Sequence, residues 1–136
     1  MGSCLRSAAV LGVDAVIINK HQCAPVNQVV HDVSSGGIEL LNIFYVSNLI
    51  NCLKHLQDEN IKVFGLSEHA DMSYQKCNFE NSSAIVMGSE EFGIRKKTAE
   101  KCDLLINLSD NRNFKSFNVS VATGIILSEV VRQRKC

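Results

Sequence analysis

Short apolar runs rich in β-branched residues recur along the chain, separated by longer segments of helical pattern. This alternation limits the fold more than any other feature of the sequence. Ala15 to Ile18, Leu40 to Val46, Lys62 to Leu66, Ala84 to Met87 and Leu104 to Leu108 are each nearly continuous in Val, Ile, Leu, Phe or Tyr. A strand apolar on both sides is one covered on both sides, as in a parallel sheet flanked by helices. Between these runs, Ser47-Asn48 offers a cap, and Leu49, Ile50, Leu53 and Leu56 share one helical face before Asn60 ends the segment. Glu91 to Lys101 begins acidic and continues with Lys96, Lys97 and Lys101, as the helix dipole favours. Asn118 to Arg134 sets Val119, Val121, Ala122, Ile125, Ile126 and Val130 at helical spacing, with its charges confined to Glu129 onward. A helix this apolar packs against the sheet or against a second subunit. Gly124 within it costs about 1 kcal/mol relative to Ala, so a close neighbour is expected there.

Strand and helix in repeated alternation give an α/β domain, a parallel sheet with helices on both faces. With 136 residues, one Pro and no repeat, a single domain over 1–136 is expected. The chain opens on a helix-like segment, Gly2 to Leu11, without a strand before it. The expectation is a domain that lacks its first strand.

Charge narrows the choice of partners. Fourteen Lys and Arg balance fourteen Asp and Glu, so there is no basic excess of the kind that drives non-specific nucleic-acid binding. An RNA-acting chain of this composition needs a local basic patch, a partner or a separate RNA-binding segment. The six cysteines form no C-x-x-C pair, and with no signal sequence a reducing compartment and free thiols are expected. The N-x-S matches at Asn81, Asn107 and Asn118 are then chance sequons. No apolar stretch is long enough for a membrane span, so a soluble intracellular protein is expected. His21, Cys23, His31, His55 and His69 match no common zinc spacing, and no metal is expected. A dinucleotide-binding domain would carry G-x-G-x-x-G after its first strand, and no such run exists.

Three stretches carry the chemistry. In Val86-Met-Gly-Ser-Glu-Glu-Phe-Gly93 a strand ends, Gly88 permits a tight turn, and Ser89 and Glu90 stand where a helix could begin. Loops at the carboxyl ends of parallel strands bind ligands in open α/β sheets; locally, Ser89 also reads as an N-cap and Glu90 as a first-turn acid. In Lys115-Ser-Phe-Asn-Val-Ser-Val-Ala-Thr-Gly124, Ser116 and Asn118 flank Phe117 at the mouth of an apolar helix. There they either hold a polar ligand edge or cap the helix. In Gly2 to Gly12, Arg6 is the only charge, placed to grip a phosphate or simply to face solvent.

In this order and spacing the stretches resemble the SpoU/TrmH family of RNA ribose 2'-O-methyltransferases over essentially the whole chain. Gly-Ser-Cys-Leu-Arg-Ser-Ala is similar to the first motif, Val-Met-Gly-Ser-Glu-Glu-Phe-Gly to the second, and Ser-Phe-Asn-Val-Ser-Val-Ala-Thr-Gly with Glu129 to the third. The resemblance is nearest to the RlmB type, which acts on guanosine in 23S ribosomal RNA. It implies a SPOUT α/β-knot fold with a C-terminal trefoil knot, a homodimer, and S-adenosylmethionine as cofactor. Gly88, Leu108 and Phe117 would touch the cofactor. Arg6, Glu90, Ser116 and Asn118 would form the reaction centre, with Arg6 meeting the target nucleotide. RNA, ribosomal in kind by this resemblance, is the implied substrate, and the cytoplasm or an organellar matrix the implied compartment.

The pattern also departs from the family. The Asn of the first motif and the small N-terminal RNA-binding domain have no counterpart in 1–136. The usual Ile-Pro-Met becomes Leu108-Ser109-Asp110, a Gly becomes Arg112, and the Leu of Ser-Leu-Asn becomes Phe117. These changes make the expected cofactor wall more polar, and the expectation is a chain inactive by itself. The alternative function is a catalytically silent SPOUT module that binds RNA or a protein partner.

Overall fold

The computed structural model describes residues 2–19, 42–88, 93–109 and 118–135. The chain runs α1 (Gly2–Val10), β1 (Ala15–Asn19), β2 (Asn42–Val46), α2 (Leu49–Asp58), β3 (Lys62–Leu66), β4 (Met72–Ser73), a 3-10 turn (Tyr74–Lys76), β5 (Ser83–Val86), α3 (Lys96–Lys101), β6 (Leu104–Asn107) and α4 (Val119–Lys135). All strand pairs are parallel, as the doubly apolar runs require. The hydrogen-bonded ladders fall into two groups, however: β1 with β2, and a four-stranded sheet in the order β4-β6-β3-β5. Along the chain, β2 and β3 are consecutive strands in different groups.

The main core lies on one face of the four-stranded sheet. Phe64 of β3 and Ile106 of β6 meet Ile126 and Val130 of α4, together with Cys77 and Phe79 from the segment before β5. The Phe64 and Phe79 rings pack tilted at 59°, with centroids 4.7 Å apart. Burying such side chains contributes roughly 1.5–3 kcal/mol each. Asp103 locks the start of β6 to β3: its Oδ2 accepts from the Val63 N–H at 2.7 Å, and its own N–H donates to the Val63 carbonyl at 2.8 Å.

Asn48 caps α2, its side chain accepting from Asn51 N–H, and Asn60 follows in the left-handed region at φ 64°. Both fit the sequence expectation. The helix expected from Glu91 begins only at Lys96. Gly93 has φ 68° and Arg95 is extended at ψ 146°, so a helix cannot run through them. Glu90 and Glu91 themselves lie outside the described residues. Part of the run from Leu40 lies outside the described residues, and the two-residue strand β4 was not expected at all.

At Gly124 a built Cβ meets nothing within 4 Å among the described residues, so the neighbour expected there is not one of them. Gly124→Ala is expected to raise stability by about 0.5–1 kcal/mol through helix propensity. Thermal unfolding checks this, and a lower melting temperature at high protein concentration would mean that a second molecule packs at the position.

Candidate active site

The carboxyl ends of β3, β5 and β6 open on one edge of the sheet, where parallel α/β sheets receive ligands. Gly88 stands there, two residues past β5. A Cβ on Gly88 would lie 2.2 Å from the carbonyl carbon of Gly93 and 2.4 Å from the nitrogen of Ile94. The chain thus doubles back so closely that backbone meets backbone, and only glycine fits. Leu108, one residue past β6, is half-buried against the main core. Just before it, Asn107 is 7% exposed, and its Nδ2 donates to the Ala70 carbonyl at 2.6 Å. That bond ties the loop after β3 to the end of β6. The Asn107 Oδ1 has no hydrogen-bond partner among the described residues. Sequence reasoning passed over Asn107 as a chance sequon. The available signal was a polar residue closing an otherwise apolar strand, Leu-Leu-Ile-Asn.

Arg6 and Asn118 belong to a helix pair. α1 buries Leu5 and Ala8, and α4 buries Ala122 and Thr123. The Thr123 hydroxyl donates to the Val119 carbonyl at 2.7 Å and lies 3.5 Å from Cys4 Sγ, which places the start of α1 beside the first turns of α4. Arg6 is exposed on α1. Asn118 caps α4: its Oδ1 accepts from the Val121 N–H at 2.8 Å and from the Ser120 hydroxyl at 2.9 Å. The capping reading therefore holds for Asn118, and its Nδ2 donors are what remain for a ligand. No hydrogen bond joins Arg6 to Asn118 among the described residues. Glu90, Ser116 and Phe117 lie outside the described residues, as does the possible cap Ser89.

Polar residues at the end of α4 make specific contacts within the chain. Arg134 donates from Nε to the Phe79 carbonyl at 2.9 Å and from its terminal nitrogen to the Asn81 carbonyl at 2.8 Å. Gln133 accepts from the Phe79 N–H at 2.6 Å and donates to the Cys77 carbonyl at 2.9 Å. Together they fasten α4 to the segment leading into β5. Arg132 pairs with Glu129, and this bond is the main reason the Glu129 carboxyl is held below its usual range.

Cys52 and Cys102 are half-buried free thiols, while Cys77 is in the core. Burial pushes all three up, Cys102 to about 11 with a smaller contribution from the Asp103 charge. They stay protonated at neutral pH and are poor nucleophiles. No described group of three His, Cys, Asp or Glu is placed to hold a metal ion, and no described helix is long and apolar enough to cross a membrane.

The model of the SpoU rRNA Methylase family matches residues 1–128. The chain is 40% identical over 134 residues to the 23S rRNA (guanosine-2'-O-)-methyltransferase RlmB of Xanthomonas campestris, covering 98% of this chain and 54% of that protein. To the RlmB of Escherichia coli it is 42% identical, covering 98% of this chain and 55% of that protein. The chain thus spans about half the length of these curated relatives. The crystal structure of the SpoU methyltransferase AviRb from Streptomyces viridochromogenes in complex with the cofactor AdoMet superposes with a TM-score of 0.88 at 24% identity. That match covers 98% of this chain and 52% of the other, and it shows the shared fold.

Proposed function

The chain belongs to the SpoU rRNA methylase family, and from that premise we propose that it carries S-adenosylmethionine-dependent methyl transfer to a ribose 2'-hydroxyl of RNA, with ribosomal RNA as substrate class. The observation that carries this reading is the closed turn at Gly88, on the ligand edge of the sheet and within the second motif. The described residues fit the cofactor. The turn presents main chain without a side chain, Leu108 is apolar and half-buried, and Asn107 Oδ1 is a buried acceptor without a partner among the described residues.

When bound, S-adenosylmethionine supplies a methyl group made electrophilic by its sulfonium. The protein's share of the work is alignment and charge stabilisation. Arg6 presents a planar guanidinium with a fork of N–H donors. It therefore grips a phosphate of the target strand and stabilises negative charge growing on the 2'-oxygen. Asn118 has its oxygen committed to the α4 cap, so it orients the ribose through Nδ2. Ser116 and Glu90 complete the reaction centre and Phe117 the cofactor site on the strength of the motifs. The C-terminal trefoil knot that the family resemblance implies belongs to the same reading. The same reading puts the protein in the cytoplasm or an organellar matrix.

The test is to incubate the protein with methyl-labelled S-adenosylmethionine and unmodified ribosomal RNA, then digest the RNA with alkali. This reading expects label in alkali-resistant dinucleotides, the signature of a blocked 2'-hydroxyl, and that result would overturn the expectation from the sequence that the chain is inactive by itself. Cofactor binding without any labelling would instead support the silent module, which the polar substitutions at Ser109, Asp110 and Arg112 favour. Absence of cofactor binding would end the methyltransferase reading.

The same reading includes a homodimer through α1 and α4. These helices pack together and leave Val10 76% and Val121 45% exposed, apolar side chains open to a second copy. Sedimentation at micromolar concentration should give about twice the 15.0 kDa of the chain. A species of single-chain mass would remove the dimer.

A further inference from the structure

Resting on the cofactor reading above, we propose that Asn107 is a specificity residue that accepts a hydrogen bond from the 6-amino group of the cofactor's adenine. Asn107 is the last residue of β6, at the edge where the segments after β3, β5 and β6 gather. Its side chain is 7% exposed. The Nδ2 bond to the Ala70 carbonyl, 2.6 Å long, fixes the carboxamide, so Oδ1 is turned away from the loop after β3. That oxygen has no partner among the described residues. A buried acceptor left unmade costs about 1–3 kcal/mol, and an orphan of this kind at a ligand edge calls for a donor.

The surroundings specify the donor's chemistry. Side chains alternate along a strand, so Asn107 shares the face of Leu105, which is paired in register with Gly65. A Cβ built on Gly65 would lie 2.8 Å from both Cys102 Sγ and Leu105 Cδ2 and 3.1 Å from Ile94 Cδ1, so these side chains cover this face. Leu105 and Ile94 offer no donor, and the Cys102 thiol donates to the Thr98 carbonyl at 3.5 Å. An apolar surround penalises a charged group, which disfavours the cofactor's ammonium. Of the Asn107 side-chain atoms, Oδ1 is the one left wholly without a partner among the described residues, and an amide oxygen accepts rather than donates. A flat heterocycle with an exocyclic amine satisfies the apolar neighbours and the lone acceptor together.

Binding of S-adenosylmethionine is compared with that of its analogue carrying hydrogen in place of the 6-amino group, by calorimetry, for the wild-type chain and for Asn107→Ala. The wild type should bind the analogue about tenfold more weakly, equivalent to roughly 1.4 kcal/mol. Asn107→Ala should bind both ligands equally, at the weaker level. A purely structural role, through the lost bond to Ala70, would weaken both by one factor and leave the preference intact; that result overturns the assignment. Equal binding of both ligands by the wild type overturns it too, with no variant needed. If Asn107→Ala does not fold, Asn107→Ser is put through the same comparison with the same criterion. Failure of the wild type to bind either ligand overturns the cofactor reading itself and this assignment with it.

Discussion

Gly88→Ala is expected to lose measurable S-adenosylmethionine binding and to lower stability more than any other single methyl addition on the ligand edge. The new Cβ would sit 2.2 Å from Gly93 C, 2.4 Å from Ile94 N and 2.6 Å from the Gly93 oxygen, where carbon contacts settle at about 3.5–4.0 Å. All three atoms are backbone, so no rotamer change relieves the clash, and the turn has to open. Overpacking of this kind costs about 1–3 kcal/mol and sometimes more. Gly93→Ala provides the comparison. There φ is 68°, yet a Cβ meets nothing within 4 Å among the described residues, so the penalty is the left-handed backbone alone, roughly 1–2 kcal/mol. Thermal unfolding should rank wild type above Gly93→Ala and Gly93→Ala above Gly88→Ala. Calorimetry should show cofactor affinity falling by more than tenfold in Gly88→Ala while circular dichroism still reports a folded chain. Affinity within twofold of wild type would separate the turn from the cofactor site.

Gly88 also shows where sequence reasoning succeeds and where it stops. A glycine directly after an apolar run marks a strand-end turn, and that much was legible. What closes on it, the backbone at Gly93 and Ile94, is a tertiary fact. The same residues misplaced the start of α3, because Glu90 and Glu91 satisfy the dipole rule while the positive φ of Gly93 overrides it. β1, β3, β5 and β6 were readable because continuous Val, Ile and Leu leave few alternatives to a covered strand. β4, only Met72–Ser73, exists through its pairing with β6 and has no local signature. Nor does any composition rule say that β1 and β2 pair apart from the other four strands. At the site, Asn118 could be read locally either as cap or as ligand contact; its two accepted bonds decide for the cap. Asn107 was invisible for the opposite reason: its interest lies in a bond it does not make.

Arg6→Ala should reduce methyl transfer by roughly 10²–10³-fold, the loss typical when one group stabilising a developing oxyanion is removed. Stability should stay within about 0.5 kcal/mol of wild type, the usual range for a surface substitution. The reason is structural: Arg6 is exposed, while α1 is held by Leu5 and Ala8, which are 3% and 5% exposed. Removing Arg6 therefore leaves the α1–α4 contact intact. Cofactor affinity should also hold within twofold, because Arg6 meets RNA in this reading and the cofactor sites lie at Gly88 and Leu108. Arg6→Lys should recover little, since an ammonium cannot reproduce the two-pronged grip of a guanidinium on a phosphate. Asn118→Ala is a less clean probe of the chemistry. It removes the α4 cap at a cost of about 1 kcal/mol, so its lost rate mixes fold with function. For Arg6 the two separate, and the combination to look for is a collapsed turnover with unchanged melting temperature and unchanged cofactor affinity. Turnover within a few-fold of wild type would remove Arg6 from the reaction centre, and a parallel loss of cofactor affinity would move it to the cofactor site.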